Sequence, residues 1–214
     1  MNSNQVKKAI EELRKNSKKR NFDQSIDFIA NLADVNIKKA EDNVDAFVTL
    51  HNSSGSKTRI CALVGKDLKD KAKVFDKVIT DDQFENYKSK NEIKKLSKSY
   101  SIFLAQASIM GKVATTFGKV LGPKGKMPNP KAGHVITPDM DMEKIKNKIQ
   151  STIRLKTKNE PIVKASIGKE SMTDEQLIDN FNTTYNALVH ALPKEENNIN
   201  TVYIKTTMGK PIKV

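Results

Sequence analysis

The segment GKVLGPKGKMPNPKAG (Gly118–Gly133) packs four Gly, three Pro and four Lys (Lys119, Lys124, Lys126, Lys131) into sixteen residues. Such a stretch cannot continue a helix, because proline fixes φ and removes a donor while glycine permits positive φ. Two readings are open: a basic surface loop, or a lysine-bearing surface for phosphates. A nucleotide site fails on spacing. A P-loop ending in Gly125-Lys126 needs glycine at Val120 and Ser or Thr at Met127. A dinucleotide fingerprint needs G-x-G-x-x-G after a strand, but VGKDLK offers Gly65 alone. His51, His134 and His190 lie in unrelated contexts, without H-E-x-x-H or a carboxylate at ligand spacing. His190, on an apolar helix, reads as packed or solvent-rimmed. Cys61, inside ICALV, reads as a buried small hydrophobe. No activated serine or cysteine arrangement is visible. Catalysis is disfavoured, and neither metal nor cofactor is expected.

The elements that must position these residues follow from periodicity. Val6, Ala9, Ile10 and Leu13 share one helical face, so residues 5–16 predict an amphipathic helix. Ile26, Phe28, Ala30 and Leu32 then alternate with Ser25, Asp27, Ile29 and Asn31, and Val44, Ala46, Val48 and Leu50 repeat that pattern, which suits strands with one face toward a core. HNSSGSK (His51–Lys57) is a loop or domain border. Beyond it, RICALVG, KVFDKVIT and SIFLAQAS are apolar without alternation, as parallel strands buried on both faces are. Helical spacing joins Phe84, Tyr87, Ile93 and Leu96, then Met110, Val113, Ala114, Phe117, Val120 and Leu121, then Met142, Ile145 and Ile149. Thr152–Lys156 reads as the last strand of this middle region. After the polar seam KTKNEP, alternation returns at Val163, Ala165 and Ile167. Thr173 and Gln176 form a capping box for a helix carrying Leu177, Ile178, Phe181, Tyr185, Leu188, Val189 and Leu192, which Pro193 stops. A final strand spans Thr201–Thr206.

The ends share one grammar and the centre has another. The expected fold class is therefore α/β with two domains. A terminal two-layer α/β sandwich of split βαβ-like pattern comes from residues 1–56 and 158–214. A doubly wound, Rossmann-like three-layer α/β domain is inserted over 57–157, and two chain crossings near Ser56 and Lys158 make a hinge. With 214 residues a sizeable core needs no staples. No apolar run approaches a membrane span, and MNSNQVKKAI lacks a secretion signal's apolar segment, so a cytoplasmic location without membrane partners is expected. Lys plus Arg is 38 against 25 Asp plus Glu, net +13, which favours polyanionic partners, nucleic acid foremost.

At GKVLGPKGKMPNP (Gly118–Pro130) the chain resembles the signature of the large-subunit ribosomal protein L-one family, the protein of the mobile side stalk. NFDQSIDF near the start, GKESMTDEQLIDN (Gly168–Asn180) and TTMGKP (Thr206–Pro211) match the family in order, over essentially the whole chain, in its shorter archaeal form. The resemblance implies a structural constituent of the large subunit that binds rRNA at the stalk. It also implies assistance to release of exit-site tRNA, repression of the protein's own mRNA, and action as a monomer within the ribosome. It implies RNA contacts at Phe22, Ser25 and Asp27, at Gly168, Lys169, Ser171 and Met172, and at Thr207, Met208 and Gly209; Lys38 and Thr206 are expected to join them. Asp27 stands where many relatives carry the longer Glu, and Lys210 where proline usually follows Thr-Met-Gly.

These residue types suit structured RNA, which is read through shape, phosphates and 2′-hydroxyls. Phe22 and Met208 offer apolar area, Thr207 a hydroxyl, and Gly209 close backbone approach. Asp27 would select geometry, since a carboxylate near RNA is costly unless it accepts a hydrogen bond. Blander readings stay open: Phe22 as a core anchor, Met208 as a core cap, Gly168 as a turn, Lys169 as a solvated charge. Charge complicates the picture. Residues 57–157 hold 22 basic and 10 acidic side chains, net +12, against 16 and 15 elsewhere, net +1. The expectation is a division of labour. The terminal domain, with Lys18, Lys19, Arg20, Lys38, Lys39 and Lys205 nearby, makes shape-specific contacts. Lys119, Lys124, Lys126 and Lys131 of the insert add salt-sensitive attraction to rRNA or tRNA. The competing class is an α/β enzyme binding a phosphorylated substrate at loop 118–133.

Overall fold

The computed structural model describes residues 3–36, 39, 43–56, 58–87 and 89–214. Along the chain these form α1 (Ser3–Asn16), β1 (Ser25–Leu32), β2 (Asp45–Thr49), β3 (Ile60–Val64), β4 (Lys77–Thr80), α2 (Lys90–Ser99), β5 (Ile102–Gln106), α3 (Met110–Leu121), β6 (Val135–Ile136), α4 (Met142–Ser151), β7 (Thr152–Lys156), β8 (Ile162–Lys169), α5 (Asp174–Ala191), β9 (Ile199–Thr206) and β10 (Ile212–Lys213). The architecture is mixed α/β in two compact units, Met1–Ser56 with Ser151–Val214, and Lys57–Gln150.

In the terminal unit, β10-β9-β1-β8 form an antiparallel sheet, and β2-β7 form a separate antiparallel ribbon. Strand β1 alternates without a break, sending Ile26, Phe28, Ala30 and Leu32 inward. There they meet Val6, Ala9, Ile10 and Leu13 of α1 and Leu177, Phe181 and Leu188 of α5 in one core. Phe28 and Phe181 meet edge to face at 5.3 Å, a geometry that adds to their area burial. The capping box at Thr173 and Gln176 is formed and starts α5. A β-bulge interrupts the pairing of β1 with β8: Asp27 faces Ser166 but Ile26 faces Gly168, leaving Ile167 over. Bulges bend the strand and re-aim the residues beyond them, here those from Gly168 onward.

In the inserted unit, β4-β3-β5-β6 are parallel. Every residue of ICALV is buried because β3 has a core on each side. Cys61 and Leu63 face α2 and α3, while Ile60, Ala62 and Val64 face α4 and the 3-10 turns at 66–74. Cys61 is fully enclosed, and burial pushes its thiol up to about 12.

Three expectations are corrected. Thr152–Lys156 is not the insert's last strand: it pairs with Asp45–Thr49, so the second seam falls at Ser151 and not at Lys158. Its single-partner antiparallel ladder needs the front strand, which no parallel insert strand supplies. Phe84 and Tyr87 share no helix with Ile93 and Leu96. They lie on a 3-10 segment, Asp81–Tyr87, and α2 starts afresh where the Ser89 hydroxyl accepts from the Asn91 amide. Val74 and Phe75 belong to a 3-10 turn, and strand β4 begins only at Lys77. Among the described residues no helix is long and apolar enough to cross a membrane, and no cluster of His, Cys, Asp and Glu could hold a metal.

Candidate nucleic-acid interface

Three segments far apart in sequence meet at one end of the terminal sheet: the entry to β1, the exit of β8 and the exit of β9. Ile26 faces Gly168 on one side and Thr206 on the other. Gln24 ties them together. It occupies an inward phase of the β1 pattern and is 1% exposed. Its amide nitrogen donates to Ser17 Oγ, the Lys18 carbonyl and Glu170 Oε2, its amide oxygen accepts from the Met208 N–H at 3.2 Å, and its backbone carbonyl accepts from the Glu170 N–H at 2.8 Å. A buried amide with both ends partnered fixes the geometry of every segment it touches.

The loop after β8 is clamped from two sides. The Arg14 guanidinium donates to Asp174 Oδ1 and to the carbonyls of Glu170 and Met172, at 2.6–2.8 Å. On the other side Asp23 accepts from the Ser171 hydroxyl at 2.8 Å and from its N–H at 3.2 Å. Lys169 lays its stem on Gly55, whose φ of +70° and closeness to Lys169 both demand glycine, and its ammonium reaches the Asp23 carbonyl. Thr207 is locked to Ser25: each N–H donates to the other residue, into the Ser25 carbonyl and the Thr207 hydroxyl. That hydroxyl also donates to the Ser25 carbonyl at 3.3 Å. One lone pair is left for an outside donor.

What faces solvent is a small mixed surface. Phe22 is 53% exposed and Met208 62%, the large apolar side chains most exposed among the described residues of this unit. Phe22 is therefore no core anchor and Met208 no core cap. Ser171 and Thr207 are exposed beside them, and Ser25, Asp27, Lys169 and Gly209 are half-buried. Burial raises the Asp27 carboxyl above its ordinary value, while the nearby Lys205 and a hydrogen bond from Ser166 pull it back.

Other expected contacts lie behind this surface. Gly168 is buried, and a Cβ there would come within 2.6 Å of Leu177 and 2.9 Å of Met172. Met172 packs against the core and its sulfur accepts from the Lys169 N–H at 3.4 Å. Thr206 is buried, and its hydroxyl occupies the space a Cβ on Gly209 would need. These three build the surface from below. Lys38 lies outside the described residues.

The Gly/Pro/Lys loop of the insert also changes meaning. Gly125, at φ +64°, ends α3 in a Schellman arrangement: its N–H donates to the Gly122 carbonyl and the Lys126 N–H to Leu121. The Lys126 ammonium then donates to the carbonyls of Ser97 and Tyr100 at 2.7 and 2.9 Å, and Lys124 donates to the Ser97 hydroxyl. A cation on the last carbonyls of α2 complements the helix dipole. Desolvation, with Lys124 close by, lowers the Lys126 ammonium below its usual value. Both lysines are engaged in docking the loop; Lys119 and Lys131 remain exposed.

Sequence reasoning passed over Gln24, Asp23 and Arg14, and also Lys90, Lys94, Lys95 and Lys98 on the exposed side of α2. A signal existed for each group. Gln24 is a polar side chain in the buried phase of an apolar alternation. From Lys90 to His134 there are nine basic residues and one acidic, Glu92. With the seam at Ser151 the insert carries 20 basic and 10 acidic residues, net +10, and the terminal unit 18 and 15, net +3.

A model of the Ribosomal protein L1p/L10e family matches residues 7–210. The large ribosomal subunit protein uL1 of Thermococcus kodakarensis is 36% identical over 209 residues, covering 96% of this chain and 94% of the relative. The proteins of that name from Methanothermobacter thermautotrophicus and Nanoarchaeum equitans are 35% and 36% identical, over 98% of this chain and 98% and 97% of their own length.

Proposed function

The chain belongs to the ribosomal protein L1p/L10e family, a structural constituent of the large ribosomal subunit in the cytoplasm and not an enzyme, and from that premise we propose that its terminal unit grips a folded rRNA element. The contact is the surface of Phe22, Ser25, Asp27, Lys169, Ser171, Thr207, Met208 and Gly209. Gly168, Met172 and Thr206 position it, and Lys38 joins it from outside the described residues. One observation carries this reading. Gln24 fastens three distant segments into a rigid frame, yet two large apolar side chains on that frame stay in water. Such area is a cost in the free protein and an asset once a partner covers it. Phe22 and Met208 then exclude water from the polar contacts of Asp27 and Thr207 with 2′-hydroxyls or base edges.

The insert adds phosphate contacts through Lys119 and Lys131, and through the α2 lysines more than through Lys124 and Lys126. Seated on the stalk, the protein assists release of exit-site tRNA. The same terminal surface, meeting an rRNA-like fold in its own messenger, represses translation. A phosphorylated-substrate enzyme at loop 118–133 loses its support, because two of its lysines are committed to α2. Sequencing the RNA that crosslinks to the purified protein tests the reading. It predicts enrichment of one large-subunit rRNA segment with adducts at Phe22 and Met208; an unselective RNA population with adducts only in the insert contradicts it.

A further inference from the structure

The outward face of the terminal sheet carries side chains that the proposed rRNA contact leaves unused. In β1 and β9 alternate residues go to the core beneath α1 and α5, so Ile29 and Tyr203 turn the other way and are half-exposed. Register sets them in one row across all four strands. Ile29 faces Lys164 on β8 and Tyr203 on β9, and Tyr203 faces Lys213 on β10. Lys164 and Lys213 are exposed. With strands ~4.8 Å apart, the two lysine backbones stand about 14 Å from each other, an aromatic ring and an aliphatic side chain between them. The adjoining row toward Phe22 and Met208 is Ser166, Asp27 and Lys205. Two residues along a strand is about 6.8 Å, so the rows form one continuous surface.

We propose that this row holds an unpaired RNA nucleotide, its base stacked on Tyr203 beside Ile29 and its flanking phosphates on Lys164 and Lys213. The proposal rests on the RNA reading of the terminal unit and extends it from a folded element to an adjacent single strand. Three features favour RNA as the occupant. The two rows carry three cations, Lys164, Lys205 and Lys213, against one carboxylate, Asp27. An aromatic ring on a part-exposed strand accepts the face of any base, so stacking needs no particular sequence. The row is also continuous with the proposed rRNA contact.

The test uses the full chain with a short oligouridine carrying 4-thiouridine and a blunt RNA duplex of the same length. The proposal predicts a photoadduct on Tyr203. Tyr203→Ala weakens oligouridine binding roughly tenfold and leaves duplex binding unchanged, while Tyr203→Phe binds as wild type. Tyr203→Leu keeps apolar area without a ring, so it separates loss of stacking from loss of packing should the alanine variant fold poorly, and it too must bind oligouridine weakly. Adducts confined to the insert, or Tyr203→Ala and Tyr203→Leu within twofold of wild type, overturn the proposal. So does an equal loss for duplex, which would make the face a general phosphate contact. Met208→Ala against a large-subunit rRNA fragment reports on the parent reading separately. If Met208→Ala weakens that complex while Tyr203→Ala leaves oligouridine bound, only this extension fails.

Discussion

The two units present positive charge and polar geometry in opposite proportions. The insert carries net +10, largely on α2, α3 and the loop beyond α3; the α2 lysines, Lys119 and Lys131 are exposed, while Lys126 caps the end of a helix. The terminal unit carries net +3 but contains a frame in which Gln24, Arg14 and Asp23 are each multiply hydrogen-bonded across more than a hundred residues of chain. Attraction and selection are separate physical tasks. Long-range charge raises affinity for any polyanion and fades with salt. Fixed donors, acceptors and apolar area reward only a surface of matching shape. Net charge alone would put recognition on the insert, whereas the proposed reading puts it on the terminal unit.

Changes that break one side of this contrast should leave the other standing. The largest effect is expected from Phe181→Ala. It empties the edge-to-face pair with Phe28 and should cost roughly 3–5 kcal/mol of stability, seen as a calorimetric shift and loss of selective RNA binding. Met208→Ala and Thr207→Val come next, each expected to weaken binding to the rRNA target by about 1–3 kcal/mol with an unchanged salt slope in filter binding. Lys126→Met leaves the last α2 carbonyls without their cation. It should lower the melting temperature by an amount equivalent to ~1 kcal/mol while selectivity for the target stays at the wild-type level. The double change Lys94→Ala with Lys98→Ala should reduce the salt slope by roughly 0.7–0.9 for each phosphate no longer neutralised, with little effect on discrimination.

Asp27 sharpens the contrast through pH. Burial raises its carboxyl in the folded state, so the folded protein binds that proton more tightly than the unfolded chain does. The site is therefore most favourable below the unfolded value of 3.8, and that contribution is lost as pH climbs through the raised folded value. At neutral pH the ionised carboxylate strains the free protein. Asp27→Asn is expected to melt higher than wild type at pH 7, with the gap closing toward acid, and yet to bind RNA more weakly. A variant that melts lower at pH 7 would show that Lys205 and Ser166 outweigh desolvation.

Much of the fold is legible in the sequence because burial leaves a period. β1, β8 and β9 alternate, α1 and α5 carry broad apolar faces, and ICALV has no period because β3 has a core on both sides. Strand β7 is legible as a strand but not as to its unit, since five residues of TIRLK say nothing about which partner completes their ladder. The chemistry of the site is legible in its exposed members, Phe22, Ser171, Thr207 and Met208. It is less legible in the supports: Gly168 and Met172 lie beyond the β8 bulge, which resets the side each residue faces, whereas Thr206 simply continues the inward phase of Val202 and Ile204. The Gly/Pro/Lys loop misleads for a related reason. A Schellman glycine followed by a capping lysine has the same composition as a phosphate-binding loop, and only the partners of Lys126 distinguish them.

Selectivity, measured as the affinity ratio between the large-subunit rRNA target and an unrelated RNA of equal length across a salt titration, bears most directly on the assignment of recognition to the terminal sheet. Met208→Ala should collapse that ratio at every salt concentration, while the α2 lysine variant keeps it and merely flattens the salt dependence. A preserved ratio in Met208→Ala together with a collapsed one in the lysine variant would place recognition on the insert and contradict the account.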